Sequence, residues 1–216
     1  MVTTLCIKEL LWMMGGAIEK VKCEHKVLSE LDSACGDGDH GTTMLRATNQ
    51  LEKVMTAHQS DNLQGLLSDM GWTVLGIDGG ATGPLLGSFF TGMSESVAGK
   101  QTLDTEALTA MFEAGLNALK KQTKAQVGDK TLMDALVPAV AALRAGAEAN
   151  KEILQILREA AAAAQEGAYS TKNLKARFGR AKYLGDRTLG HQDPGATSIS
   201  LMFQGFYDGL STKWEL

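Results

Sequence analysis

Proline is scarce in this 216-residue chain, three in all, and aromatic residues make up only 6% of it. Runs of β-branched residues are few as well, while Ala, Leu, Met, Glu and Lys are plentiful, so strands are not expected and the chain reads as all-α. Its three cysteines, Cys6, Cys23 and Cys35, are odd in number and lack C-x-x-C spacing. That argues against a disulfide framework and a zinc knuckle, and makes the cytoplasm the expected compartment. A basic stripe is missing too: the formal net charge is -4 and the Lys and Arg residues are scattered. The one cluster, from Lys172 to Lys182, is diluted by Asn, Leu, Ala, Phe and Gly and reads mostly as solvated surface, so nucleic acid is not an expected partner. Lys8 and Glu9 interrupt the N-terminal apolar residues and no stretch is apolar for long enough to cross a bilayer, so neither a secretory leader nor a membrane partner is expected.

What the chain does have is helical periodicity. With 44% hydrophobic residues it suits one domain over residues 1–216 with an ample core. Eight helices can be drawn, near 3 to 25 (with a break before Asp32), 41 to 57, 61 to 77, 84 to 98, 104 to 122, 131 to 148, 151 to 167 and 196 to 212. Pro84 falls where a first helical turn tolerates it, whereas Pro138 lies inside a helical pattern and is expected to kink it. Glycine and polar residues crowd into four connections: DSACGDGDHG after the first helix, DGGATG after the third, TKAQVGDKT after the fifth and GRAKYLGDRTLGHQDPGAT after the seventh. In an up-and-down antiparallel array the loops after odd-numbered helices emerge at one end, so these four converge on one site.

Within the first of these loops Gly36, Gly38 and Gly41 satisfy G-x-G-x-x-G, the dinucleotide-binding pattern. That pattern works where a strand feeds a glycine turn that opens a helix. Here Leu11, Met14, Ile18, Val21, Leu28 and Leu31 recur at helical spacing, so a helix arrives instead. Asp32, Asp37 and Asp39 would also crowd a pyrophosphate with like charge unless a cation stood between them.

The spacing D-x4-D-x-D places hard oxygen ligands on a tightly folding glycine turn. An EF-hand is excluded, because position twelve counted from Asp37 is Thr48 and from Asp32 is Thr43, where Glu is required. Mg2+ suits better, since it takes few carboxylates and completes its shell with phosphate oxygens and water. An Asx turn with a helix cap accounts for one Asp-Gly pair but not for three carboxylates together. Cys35 among them reads as a small filler, because hard oxygen sites seldom recruit thiolate. His40, Thr42 and Thr43 then open a helix, whose free N–H groups and dipole favour an anion. DGGATGP repeats the device with Thr82. GDKT at 128–131 fails as a Walker motif, with Asp129 at the lysine position and Thr123 at the first glycine. Arg180 and Arg187 are candidates for phosphate neutralisation, with surface ion pairs as the alternative, and HQDPG around His191 is too polar for core.

Together GDGDHG, GGATGPL, VGDKTLMDAL and GRAKYLGDRTLGHQDPGATS resemble the nucleotide-binding L subunit, or L domain, of dihydroxyacetone kinases. The resemblance covers nearly the whole chain. It implies an eight-helix antiparallel barrel with ADP or ATP and Mg2+ at one end, the metal held by Asp32, Asp37 and Asp39. By the same match His40, Gly41, Thr42 and Thr43, with Ala81 and Thr82, would hold phosphates, while Thr123, Leu132, Arg180, Asp193, Pro194 and Gly195 would complete the nucleotide pocket. Thr82 stands where serine is usual, Leu132 for methionine, Thr123 for a glycine, and Asp78 precedes the paired glycines.

The implied activity is phosphoryl transfer to a small ketose held by a separate K-type subunit, with free ATP or a phosphohistidine subunit of a phosphotransferase system as donor. A homodimer is left open. Fatty-acid kinase domains look similar but tend to carry DGDTG where this chain has DGDHG, and a regulatory role, docking on a transcription regulator, is the reading from another class.

Overall fold

The structure, a computed structural model, describes residues 3–214, with side chains through Thr212. Among these residues there are nine α-helices: α1 (Ile7–Cys23), α2 (His25–Cys35), α3 (His40–Ala57), α4 (Leu63–Leu75), α5 (Thr82–Ser96), α6 (Thr105–Lys120), α7 (Met133–Glu148), α8 (Ile153–Ser170) and α9 (Pro194–Trp214). The only sheet among them is a two-residue pairing of β1 (Thr4–Leu5) with β2 (Leu103–Asp104), antiparallel. The helix drawn to residue 25 ends at Glu24 as expected, but a further helix, α2, runs on through Asp32 where a break was expected. At the junction the His25 Nδ1–H donates to the Lys22 carbonyl at 2.7 Å, so a side chain meets the last-turn carbonyls of α1 where α2 begins.

Each of α3 to α9 packs on its predecessor, and α9 packs on α1, so eight helices close a ring with α2 set against α3 and α9 at one end. Closure depends on small residues. A Cβ on Gly16 of α1 would lie 2.2 Å from the Gly205 carbonyl of α9, and one on Gly209 would lie 2.3 Å from the Trp12 carbonyl. The first and last helices therefore touch backbone to backbone. Apolar faces of the ring meet inside it, where Phe89, Phe112, Phe203 and Phe206 are fully buried and neighbouring rings sit 5.4–6.2 Å apart, centroid to centroid.

Helix α7 continues through Pro138 without interruption. Proline cannot donate to the Asp134 carbonyl. The position facing that carbonyl is Gly167 of α8, where a Cβ would lie 2.0 Å from the oxygen, so the freed acceptor lies against a bare Cα. Asn62 and Asp104 cap α4 and α6 by accepting from Gly65 and Ala107 N–H at 3.0 and 2.8 Å. Chain direction now follows: α3, α5, α7 and α9 all begin at the end where α2, α4, α6 and α8 finish.

Candidate functional site

That end carries the four glycine-rich connections, and their contacts show that they meet. Gly36, Gly38 and Gly41 join α2 to α3, two helices, which removes the dinucleotide reading. A Cβ at Gly36 would lie 2.5 Å from Asp32 Oδ1, and Gly38 has φ 78, so the turn folds back on the carboxylate at the end of α2. Oxygens of Asp32, Asp37 and Asp39 lie within 4.8 Å of one another, with Asp32 half-buried and the others exposed. Three hard, anionic donors at that spacing fit a divalent cation. The Asp32 carboxylate also accepts from the His40 backbone N–H at 3.1 Å, tying α2 to the first turn of α3.

The second connection lies against this first turn. Gly79, with φ 137, leaves room of only 2.7 Å between a Cβ and the Thr43 hydroxyl, and Arg46 donates to both Thr43 Oγ1 and the Asp78 carbonyl, at 3.2 and 3.0 Å. The carbonyl of Asp78, rather than its carboxylate, is thus what faces Arg46. Ala81 precedes α5, Thr82 is its first residue and Pro84 stands in its first turn.

The third and fourth connections are held together by groups that sequence reasoning passed over. Asp134, 2% exposed in the first turn of α7, accepts from Gly128 N–H at 2.6 Å and Thr131 N–H at 2.7 Å. Lys130, also 2% exposed, donates to the Thr171 carbonyl at 2.6 Å and to the His191 carbonyl. The GDKT tetrapeptide fails as a phosphate-binding motif and instead supplies the fastening between connections. A lysine two residues after a turn glycine was the available signal, but its burial is a tertiary fact. Leu132 precedes α7 and lies beside Gly195, 3.5 Å from a Cβ there, while Thr123 Oγ1 accepts from Ala125 N–H at 3.1 Å.

From the fourth connection Arg180 reaches Asp37 in an ion pair, which brings the last loop to the first. Arg187 has no contact with the aspartates recorded in the structure. Asp193 caps α9, accepting from Ala196 N–H at 2.7 Å, with Pro194 and Gly195 in the helix's first turn. Burial pushes the Asp193 carboxyl up to about 7, against the Ala196 bond and the Lys130 charge, which favour the ionised form. His40 joins α3 to α9, with Nε2 2.7 Å from Ser198 Oγ. Burial holds its imidazole below the ordinary range, despite Asp32 and Asp39 nearby and a bond to the Pro194 carbonyl. The ring thus bridges α3 and α9 through the Ser198 hydroxyl. Ser198, 2% exposed, is a further residue that the sequence pattern did not single out.

The arrangement defines a class: an all-α barrel whose end gathers three carboxylates, an arginine and the N-termini of α3, α5, α7 and α9. The DAK2 domain family model matches residues 34–208, and the chain belongs to that family. It is 40% identical over 181 residues to the ADP-binding subunit DhaL of the PEP-dependent dihydroxyacetone kinase of Escherichia coli, covering 84% of this chain and 86% of that one. Over 200 residues it is 36% identical to the DhaL subunit of the PTS-dependent dihydroxyacetone kinase of Lactococcus lactis, covering 93% and 96%. The dihydroxyacetone kinase of C. freundii in complex with AMP-PNP and Mg2+ superposes with a TM-score of 0.72 at 26% identity, over 96% of this chain. This chain spans about a third of that one, 35%. Among the described residues no helix is long and apolar enough to cross a membrane.

Proposed function

We propose that the chain is the nucleotide- and Mg2+-binding subunit of a dihydroxyacetone-type kinase, passing a phosphoryl group to a small ketose held by a K-type partner. The observation that carries this reading is the convergence of four helix N-termini on a three-aspartate cluster. Helix N-termini attract anions through unpaired N–H groups and the dipole, while carboxylates repel them. A site with both is made for an anion that arrives with a divalent cation. Asp32, Asp37 and Asp39 would hold the metal, which when bound would neutralise phosphate charge and orient the terminal phosphoryl group.

The chain's own groups do the rest. First-turn N–H groups of α3, at Gly41 and Thr42, are among those a helix leaves without intrahelical acceptors, and with the exposed Thr42 they would serve phosphate. His40, whose Nε2 pairs with Ser198 Oγ, ties α3 to α9 beside these phosphate-binding groups. Ala81 and Thr82 offer a second phosphate-binding turn, and Arg180 can exchange Asp37 for phosphate oxygen. Thr123, Leu132 and Asp193 to Gly195 wall the base and sugar. The names of the relatives, PEP-dependent and PTS-dependent, favour a phosphohistidine donor that recharges bound ADP. Titration calorimetry tests the site: ADP binds with Mg2+ and not without it, and absence of binding in both conditions overturns the reading.

A further inference from the structure

Between α8 and α9 the chain makes an excursion from Thr171 to His191 that carries Arg180 to Asp37. Its neck is narrow. Gly190 N–H donates to the Lys172 carbonyl at 2.8 Å, Asp193 N–H donates to Thr171 Oγ1 at 2.8 Å, and a little further in Ala176 N–H donates to Thr188 Oγ1 at 3.2 Å. Under this neck lies Lys130, whose ammonium donates to the carbonyls of Thr171 and His191, one on each end of the excursion. Asp129 adds a tie just beyond the neck, its carbonyl accepting from Arg177 N–H at 3.1 Å and its carboxylate pairing with the Arg177 guanidinium at 3.4 Å, and past Arg177 the segment is lightly held. Tyr183 is 81% exposed, and the Lys175–Asp186 pair is solvated.

Lys130 occupies its place against two costs. Its charge is out of water, and burial lowers its pKa although Cys35, Asp193 and Asp134 oppose the shift. Its φ of 59 lies in the left-handed region, uncommon outside glycine, asparagine and aspartate. An apolar side chain would avoid the first cost and close the barrel end equally well. An ammonium, with three donors and no acceptor on a long stem, can satisfy two carbonyls from separate chain ends at once.

We propose that Lys130 is a positioning residue: a buried clasp on the neck of the 171–191 segment that holds Arg180 and the start of α9 in register with the aspartates. The effect on nucleotide rests on the site reading above, while the clasp itself is a property of the unliganded chain. Loosening the neck leaves the barrel closed but frees Arg180 to wander, so affinity falls without loss of the fold.

The test uses the full chain. Arg177, Arg180, Lys182 and Arg187 are trypsin sites in the segment. Lys130→Met is expected to raise cleavage there about tenfold or more, since proteolysis follows the population of the opened form, with circular dichroism unchanged. Lys124→Met, an exposed lysine of the same connection, behaves as the unaltered chain. Affinity for ADP with Mg2+ falls about tenfold in Lys130→Met, and the loss caused by Arg180→Ala shrinks in that background, because the two act in one chain of contacts. Lys130→Arg, which keeps the charge, lies between the two in both measurements. Cleavage at the unaltered rate, strict additivity with Arg180→Ala, or an arginine variant no better than methionine overturns the proposal. Should Lys130→Met fail to fold, amide exchange in the unaltered protein decides: protection of Gly190 N–H supports a closed neck, and exchange at free-chain rate overturns it. An unaltered chain that binds no ADP overturns the site reading and leaves the cleavage result standing.

Discussion

At the scale of single residues, the site crowds three like charges together. Asp37→Asn and Asp39→Asn each remove one of three like charges whose oxygens lie within 4.8 Å. Each variant is expected to lose Mg2+-dependent ADP binding, read by calorimetry, with an unchanged helical spectrum. The Arg180–Asp37 pair broken by the first change contributes little to stability, because the two side chains are 64% and 43% exposed. Asp193 behaves differently. Its folded pKa of about 7 stands above the 3.8 of the free carboxyl, so the folded chain binds the proton more tightly and stability falls as pH rises between those values. The slope from this group is on the order of 1 kcal/mol per pH unit. His40, lowered by burial, works in the opposite sense below its free value of 6.5. A difference profile isolates the carboxyl: Asp193→Asn, which keeps an oxygen for the Ala196 cap, should gain on the unaltered chain in urea melts as pH rises from 4 to 7. A constant difference across that range would show that Asp193 is ionised throughout.

Among the elements, the α1–α9 contact closes the ring, and it admits no side chain at its closest points. Gly16→Val would drive a branched group into the Gly205 carbonyl, 2.2 Å from where a Cβ would stand. Overpacking of this kind costs about 1–3 kcal/mol, and the expected outcome is a lower urea midpoint with weaker ADP affinity, since the two ends of the chain meet there. An unchanged midpoint would mean that the helices part easily. The same scale explains what could be read beforehand. The two helices around Gly36 to Gly41 were legible from apolar spacing, which is a local property, and so was the rejection of the dinucleotide pattern. The end of the first helix near residue 25 was legible too, but α2 as a separate helix running on through Asp32 was not, since a break was expected before that residue. The α1–α9 seam was hidden as well, since a glycine marks close approach only once its neighbour is known.

For the whole molecule, two expectations follow from a site assembled out of loops that are far apart in sequence. Nucleotide should stabilise the fold by mass action, by roughly 2.7 kcal/mol at 100 times Kd, and the melting temperature should respond to ADP and Mg2+ together more than to Mg2+ alone. The isolated chain should not phosphorylate dihydroxyacetone, yet should do so when a K-type subunit is supplied with ATP or with the phosphohistidine donor and ADP. The marked loops read as metal, nucleotide and fastening elements with no second constellation for a ketose, and orienting the acceptor is worth several powers of ten in rate. Turnover by the chain alone, lost in Asp37→Asn, would place the acceptor site within these residues.

The amino-acid sequence by itself determined the helical class, the positions of the connections and the three aspartates, because periodicity, glycine turns and carboxylate spacing are written in neighbouring residues. Four loops could be assigned to one end by alternation alone. Only the tertiary structure decided that His40 reaches Ser198, that Lys130 and Asp134 are buried between connections, and that Arg180 reaches Asp37. Those facts join residues up to 158 positions apart. A hydrogen bond across such a span follows from how the ring of helices closes, and closure is set by packing between helices rather than by any local pattern.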